Sequence, residues 1–226
     1  MRHTAASDVI VGGAQVLAAT LTAPLGRGRY NRWGATDAEV AAAMPGDDLV
    51  PDPQLGYTRA ITIEAPPENV WPWLAQMGQG RGGLYSYDGL ENLVGCGIHS
   101  AEQVLPDFQQ LAAGDLIRLG PAGYPCFRVA QVATADSLVL VGADPRPPHA
   151  AAAADSPTGI ATWQWQLRPT PGAQGTRLIT RQRLAYPPSL GPSVMWHLVE
   201  PIGFVMERQM LRGIKARAER VRLPVQ

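Results

Sequence analysis

A long helix over residues 190–222 is the feature that most constrains the fold of this chain. Apolar side chains recur in it at steps of three and four residues, which places them on one broad stripe. The stripe consists of Met195, Val199, Ile202, Met206, Met210 and Ile214. A helix of this length needs a large apolar partner, and most of the chain between 57 and 186 is patterned as strands. We therefore predict a curved antiparallel sheet wrapped around the helix, with a cavity between them.

Composition excludes several classes of protein. Hydrophobic residues make up 46% and charged residues 17% of the 226 residues, which is too apolar for a disordered chain. Lys plus Arg equals Asp plus Glu at 19 each, so we expect no nucleic-acid partner. Cys96 and Cys126 form neither a disulfide framework nor a metal-binding spacing. The expected compartment is therefore a reducing cytoplasm.

Motifs of the common hydrolases, zinc proteases and nucleotide enzymes are missing from the sequence. It contains no GxSxG, HExxH, P-loop or CxxC pattern. His197 and Glu200 share a helix face, but no further ligands complete a metal site. Residues 78–83 match GxGxxG, yet a helix is predicted before them where a nucleotide site has a strand, so we interpret them as a turn. We expect no cofactor and no metal.

The N-terminal segment 9–25 is mostly apolar but short for a membrane span. It has 17 residues and includes Gln15 and Pro24, whereas crossing a bilayer takes about 20 apolar residues. One interpretation is a helix packed on the main domain. The alternative is a signal sequence or an anchor that gives membrane contact and membrane association.

The rest of the chain gives a simple order of elements. We predict an N-terminal extension over 1–54, with the apolar helix, a short capped helix and a linker, and a main domain over 55–226. The main domain has two short helices, over 68–77 and 84–95, after its first strand. The predicted strands cover 57–64, 115–119, 126–133, 137–142, 158–168 and 176–186. A proline-rich loop over 143–157 separates two of them.

From about residue 32 to residue 220 the chain resembles the START-like (SRPBCC) superfamily, and more narrowly an uncharacterised actinobacterial branch of it. The superfamily includes START lipid-transfer domains, Bet v 1-like proteins and polyketide cyclases. The resemblance is carried by RWGATDAEV (32–40), PGDDLVPDP (45–53), TRAITIEAPPENVWPWLAQMGQGRGGLYSYDGLEN (58–92), TWQWQLRP (162–169) and EPIGFVMERQMLRGIKARAE (200–219). It implies an α+β helix-grip fold with a deep, mostly apolar cavity, but no single chemistry.

Apolar candidates for the cavity wall come from the strands and the helices. Tryptophan covers a large area and methionine adapts to varied shapes, which suits a broad hydrophobic pocket. Ordinary core packing uses the same residues. The candidates are Trp73, Met77, Trp163, Trp165, Met206 and Met210.

Polar candidates share one face of the last predicted strand. Thr180, Gln182 and Tyr186 would orient a ligand if this face points inward. Arg181 and Arg183 lie on the opposite face of the strand. A shift of the register by one residue would exchange the two faces and turn these arginines inward. Inward arginines would imply a carboxylate or enolate ligand, and outward arginines a solvated face.

Acid–base candidates cluster between the second short helix and the following loop. They are Tyr85, Tyr87, Asp88 and His99, with Glu91 nearby. A tyrosine or histidine there could act as general acid toward a carbonyl, with a carboxylate as base; alternatively, the carboxylates cap the helix and the tyrosines pack. The sequence thus favours a protein that binds a hydrophobic small molecule, such as a lipid, polyketide or isoprenoid. The alternative is a cyclase or dehydratase, and whether the protein is an enzyme stays open.

Overall fold

The computed structural model describes residues 5–143, 159–172, 174–186 and 190–220. The helices are α1 Ala5–Tyr30, α2 Asp37–Ala41, α3 Pro67–Ala75, α4 Asp88–Leu93 and α5 Leu190–Ala218, with 3-10 turns at Asp47–Leu49 and Pro106–Phe108. The strands are β1 Leu55–Ile63, β2 Leu116–Arg118, β3 Cys126–Ala133, β4 Ser137–Ala143, β5 Ile160–Pro169 and β6 Thr176–Ala185. The predicted loop over 143–157 lies almost entirely outside the described residues.

The six strands form one antiparallel sheet in the order β1-β6-β5-β4-β3-β2. The first strand therefore pairs with the last one, and the curved sheet holds α5 against its inner side. This confirms the predicted α+β architecture with a long C-terminal helix. The second short helix is shorter than predicted, since α4 begins at Asp88.

The glycine-rich stretch 78–83 forms a turn, as we interpreted it. Gly78 and Gly83 face each other in an isolated antiparallel bridge. Gly83 has a φ of +79°, and a Cβ atom there would lie 2.6 Å from the Cα of Ser100. Only glycine fits this close approach. The turn joins α3 to the segment that leads into α4.

The buried face of α5 differs from the predicted stripe. Met195, Val199 and Ile202 are 40%, 43% and 44% exposed, so the first half of the predicted stripe is wrong. Met210 and Ile214 in its second half are buried. The residues that face the protein interior along the helix are Phe204, Glu207, Leu211, Ile214 and Ala218. They also follow steps of three and four. Apolar residues on both sides of the helix made two neighbouring stripes possible, and the helix buries the one that contains Glu207 together with Met210 and Ile214 of the predicted one.

The arginines of β6 lie on the outer face of the sheet, under residues 36–51. Arg181 is 5% exposed and donates to the carbonyls of Glu39, Val40 and Ala42 and to Asp47 at 2.7–3.0 Å. The expectation that outward arginines would form a solvated face is therefore wrong. The extension covers them, and its backbone carbonyls replace water as hydrogen-bond acceptors.

Helix α1 extends the apolar segment 9–25 in both directions and packs on α4 and α5. Val16 and Ala19 contact the group that contains Tyr87, Phe204 and Val205. By length and composition the helix Ala6–Tyr30 could cross a membrane, and 11% of its most apolar stretch is buried. The contacts on the inner side of α1 thus agree with the interpretation of this segment as a helix packed on the main domain. The boundary predicted at 54/55 falls directly before β1 and stays a prediction.

Replacing Arg181 by alanine is expected to lower the free energy of unfolding by about 3 kcal/mol, because it leaves Asp47 and three carbonyls without their buried donor. Urea unfolding at neutral pH measures this value. Arg168→Ala is the matched control on β5, since the side chain of Arg168 hydrogen-bonds to Gln166 alone within the described residues, and it should change stability by less than about 0.5 kcal/mol. Equal losses for the two variants would contradict a structural role for the covered arginine.

Candidate functional site: a buried polar cluster beneath the C-terminal helix

Strand alternation places one set of polar side chains on the inner face of the sheet. In β1 and β6, Tyr57 lies opposite Gln182 and Arg59 lies opposite Thr180. In β5, Trp163 lies opposite Gln182. Residues directly opposite each other on one face have Cβ atoms about 5 Å apart, so these side chains form a continuous polar patch under α5.

Glu207 of α5 reaches into this patch and is 4% exposed. Its Oε1 accepts hydrogen bonds from Trp163 Nε1 at 2.9 Å, Thr180 Oγ1 at 3.1 Å and Gln182 Nε2 at 3.1 Å. Its Oε2 forms a salt bridge with Arg59. We call Tyr57, Arg59, Trp163, Thr180, Gln182 and Glu207 the Glu207 cluster.

Arg59 is fully buried and is held from three sides. Its Nε donates to the backbone carbonyl of Tyr30 at 2.9 Å, and Nη1 donates to Glu207. The guanidinium lies 4.2 Å from the ring centre of Tyr57 and 5.3 Å from that of Phe204. Nη2 has no hydrogen-bond partner among the described residues. An unused donor on a buried cation is the unusual feature of this site.

Tyr57 completes the cluster as a neutral donor. Its hydroxyl donates to Gln182 Oε1 at 2.8 Å. Burial raises the pKa of Tyr57 well above its ordinary value, and the charge of Arg59 opposes that rise. The phenol therefore stays protonated at neutral pH.

The space beside the cluster is filled by apolar side chains. Trp163 and Trp165 pack at 5.1 Å between ring centres, and Trp73, Met77 and Met210 belong to the same buried group. Two indole donors in this group, Trp73 Nε1 and Trp165 Nε1, have no partner among the described residues. Side chains thus occupy the position of the predicted cavity, and three buried donors there lack acceptors.

The predicted ligand-binding residues fall into four places. Thr180 and Gln182 belong to the Glu207 cluster. Trp73, Met77, Trp163, Trp165 and Met210 belong to the core beside it. Met206 packs toward α1 and α4, and Tyr186 packs with Leu55 and Leu184 at the end of the sheet. Their role in ligand binding stays a prediction.

Two open clefts border the cluster from outside. A cleft of about 310 Å³ is lined by Tyr57 and Gln182 at the edge of the sheet. A cleft of about 710 Å³ between α1 and α5 is lined by Tyr30 and Phe204, whose rings stack at 4.5 Å. Both clefts therefore reach side chains that contact Arg59.

The four predicted catalytic residues lie in separate environments. Tyr85 is in the core against Trp73, and Tyr87 is in the group between α1 and α5. Asp88 accepts from the backbone N–H and hydroxyl of Ser100 and so connects the start of α4 to the following loop. His99 is exposed. Their catalytic role stays a prediction, and the geometry does not bring them together at one reacting atom.

Arg59 and Glu207, the centre of the site, were not predicted from the sequence. A signal for Glu207 is present: it stands three residues after Phe204 and four before Leu211, which are apolar and buried. A charged residue inside an apolar helix stripe indicates a buried, paired group. The signal for Arg59 is weaker, because its alternation with Tyr57 and Ile61 does not reveal which face is inward.

Comparisons with known proteins do not assign the chain to a family. No family model matches the chain, and no curated protein matches it. Protein MLL2253 from Mesorhizobium loti has 20% identity over 75% of this chain and 100% of that chain, with a TM-score of 0.44. A protein from Arthrobacter aurescens has 14% identity over 76% and 90%, with a TM-score of 0.44. DynU16, of the dynemicin biosynthetic locus, has 14% identity over 71% and 47%, with a TM-score of 0.38. Because these scores are below 0.5, we base the fold class on strand order and helix packing.

Glu207→Leu is expected to lower the free energy of unfolding by about 3–5 kcal/mol, because it leaves the buried Arg59 charge unpaired. The double variant Arg59→Met/Glu207→Leu removes both charges and should lose less than the single variant does. Urea unfolding of the wild type, both single variants and the double variant gives the coupling energy. Losses that simply add up would show that the two side chains do not act as a pair.

Glu91 is expected to make stability depend on pH. Burial raises its pKa from 4.5 to about 7, while the Ser86 hydroxyl opposes the rise and the Asp88 charge adds to it. Between these values the folded chain binds a proton that the unfolded chain has lost, so stability falls as pH rises through this window. Glu91→Gln should therefore be stabilising at pH 8 relative to the wild type and nearly neutral at pH 5, as measured by urea unfolding. The exposed Glu68→Gln is the control; an equal effect of Glu91→Gln at both pH values would contradict the raised pKa.

Proposed function

We propose that this chain is a helix-grip protein of the START-like superfamily that binds a hydrophobic small molecule carrying an acceptor oxygen, between the sheet and α5. The strand order and the C-terminal helix support the fold part of this proposal, and the resemblance of the sequence supports the superfamily. The ligand class rests on the buried donors beside the Glu207 cluster.

The observation that carries the proposal is a row of donors across three strands. Arg59, Thr180 and Trp165 occupy successive cross-strand positions of β1, β6 and β5. Arg59 Nη2 and Trp165 Nε1, at the two ends of this row, are buried and unpartnered. An unsatisfied buried donor costs about 1–3 kcal/mol. A ligand that presents an acceptor oxygen to the row would recover this free energy.

The charge of the cluster favours a neutral ligand. The charge of Arg59 is already compensated by Glu207, which pairs with Nη1 of the guanidinium. A carboxylate ligand would add an uncompensated negative charge in a buried site, which is unfavourable. A ketone, ester or amide oxygen accepts the same hydrogen bonds without that charge. We therefore propose a carbonyl-bearing lipid, polyketide or isoprenoid in place of a free fatty acid.

The apolar body of the ligand would lie against tryptophan and methionine side chains. Met77 and Met210 border the indoles of Trp73, Trp163 and Trp165 in one group. Methionine has three rotatable bonds and rearranges readily, which suits a site that opens when a ligand enters. Burial of the ligand contributes roughly 25 cal/mol per Å² of apolar surface. Entry at the sheet edge would displace Tyr57 and Gln182, which line the smaller cleft.

The first test is native mass spectrometry of the protein purified from its own host, compared with the denatured mass. We expect an additional mass that organic extraction releases as a neutral, carbonyl-bearing molecule. The protein without its ligand should then bind a long-chain methyl ketone more tightly than the alkane of the same length, by about tenfold for one recovered buried hydrogen bond.

Variants locate the binding site. Arg59→Met/Glu207→Gln removes the Arg59 donor, leaves no unpaired charge and keeps an acceptor oxygen for Trp163, Thr180 and Gln182. It should therefore weaken the preference for the ketone over the alkane. Arg168→Met, outside the cluster, should keep it. Empty spectra together with equal affinity for ketone and alkane in the wild type would overturn the proposal.

A further inference from the structure

We propose that α1 lies flat on the surface of a membrane that contains anionic lipids. We call Ile10, Val11, Leu17, Leu21 and Leu25 the outer face of α1. Ile10, Leu17, Leu21 and Leu25 are 71%, 62%, 72% and 97% exposed, and their spacing puts them along one side of the helix. This inference concerns the surface of the protein and does not rest on the proposed ligand.

The opposite side of α1 is also apolar and is already covered by the protein. Gly12 and Ala19 are buried against α4 and α5, and a Cβ atom at Gly12 would lie 2.5 Å from a methyl group of Leu90. A helix that is apolar all round needs a second apolar environment for its remaining side. Contiguous exposed apolar surface of this kind marks an interaction site.

The part of α5 around Glu200 also carries exposed apolar side chains. Arg27 near the end of α1 forms a 2.9 Å salt bridge with Glu200 of α5. The last exposed leucine of α1 and the first turns of α5 therefore lie at the same end of the molecule. The exposed side chains of α5 in this region are Met195, Leu198, Val199 and Ile202.

Unpaired arginines at the same end give the surface its charge. Arg29 is exposed, follows Leu25 by one helical turn, and forms no ion pair with the described residues. Arg208 bonds to the neutral Gln15 and also has no carboxylate partner within the described chain. Both arginines line the 710 Å³ cleft together with Leu25. A lipid phosphate at the membrane surface would pair with them while the leucines enter the apolar layer.

These charges favour a membrane over a second copy of the chain. In a symmetric dimer the same face of two molecules meets, which would bring the unpaired arginines of both copies together without added carboxylates. Like charges at such an interface oppose association. An anionic lipid surface supplies the missing negative charge and the apolar layer at once.

The inner contacts of α1 favour a flat orientation over a spanning one. Gln15 accepts from Arg208 at 2.5 Å, and the Tyr30 carbonyl accepts from the buried Arg59 at 2.9 Å. A helix that crossed the bilayer would have to leave α5 and break both contacts. Lying flat preserves them and buries only the outer face.

The test is co-sedimentation of the full chain with vesicles, either of phosphatidylcholine alone or with about one third phosphatidylglycerol. We expect binding to the anionic vesicles that weakens when salt is raised from about 0.1 M to about 1 M. Leu21→Glu should bind at least about tenfold more weakly, because it removes apolar burial and adds a negative charge. Arg29→Gln should bind about fivefold more weakly at low salt.

Val104→Glu is the matched control. Val104 is 39% exposed and lies near Glu102, which pairs with Arg217 and Arg220 at the other end of α5. It should bind as the wild type does, and the thermal midpoint confirms that every variant is folded. No sedimentation with anionic vesicles, an equal loss for Val104→Glu, resistance of the bound protein to carbonate extraction, or a dimer that Leu21→Glu converts to a monomer would each overturn the proposal.

Discussion

The salt bridge between Arg59 and Glu207 is the interaction on which the rest of this structure depends. It joins the edge strand β1 to α5, and the Tyr30 carbonyl adds α1 to the same guanidinium. A buried ion pair contributes little net stability, but either charge alone would be strongly destabilising. The pair therefore fixes which face of α5 turns inward and how the N-terminal helix sits on it. It also makes the centre of an otherwise apolar core polar.

This polar centre explains why the site favours a particular ligand chemistry. Glu207 satisfies the hydrogen-bond donors of Trp163, Thr180 and Gln182, whereas Arg59 Nη2 and the indoles on its apolar side keep unused donors. Donors without acceptors in a water-free core favour a molecule that brings an acceptor. Since the backbone carbonyl of Tyr30 accepts a hydrogen bond from Arg59, the helix that we propose for lipid docking is connected directly to the proposed ligand site. A movement of α1 on a membrane would therefore displace a hydrogen-bond acceptor of Arg59.

The sequence predicted the sheet, its strands and the C-terminal helix, because period-two and period-3.6 patterns depend only on local neighbours. It also placed Trp163, Thr180 and Gln182 among ligand residues. It missed Glu207 because a charged helix residue is by default assigned to solvent, and it missed Arg59 because that partner stands 148 positions away in the chain. The same limit explains Arg181, whose solvated environment was predicted without knowing that residues 36–51 cover it. A periodic pattern within one strand does not show which distant segment of the chain covers its face.

The most direct test of the central claim is a titration of the isotope-labelled protein with a long-chain methyl ketone, followed by the indole N–H signals in nitrogen–proton correlation spectra. The six tryptophans are assigned by single Trp→Phe variants. A ligand held by the donor row should shift the Trp165 signal most, together with that of Trp163, and leave Trp33 at the outer cleft unchanged. The alkane of the same length should not reproduce the Trp165 shift. A shift confined to Trp33, or identical shifts with ketone and alkane, would contradict a ligand site organised around Arg59 and Glu207.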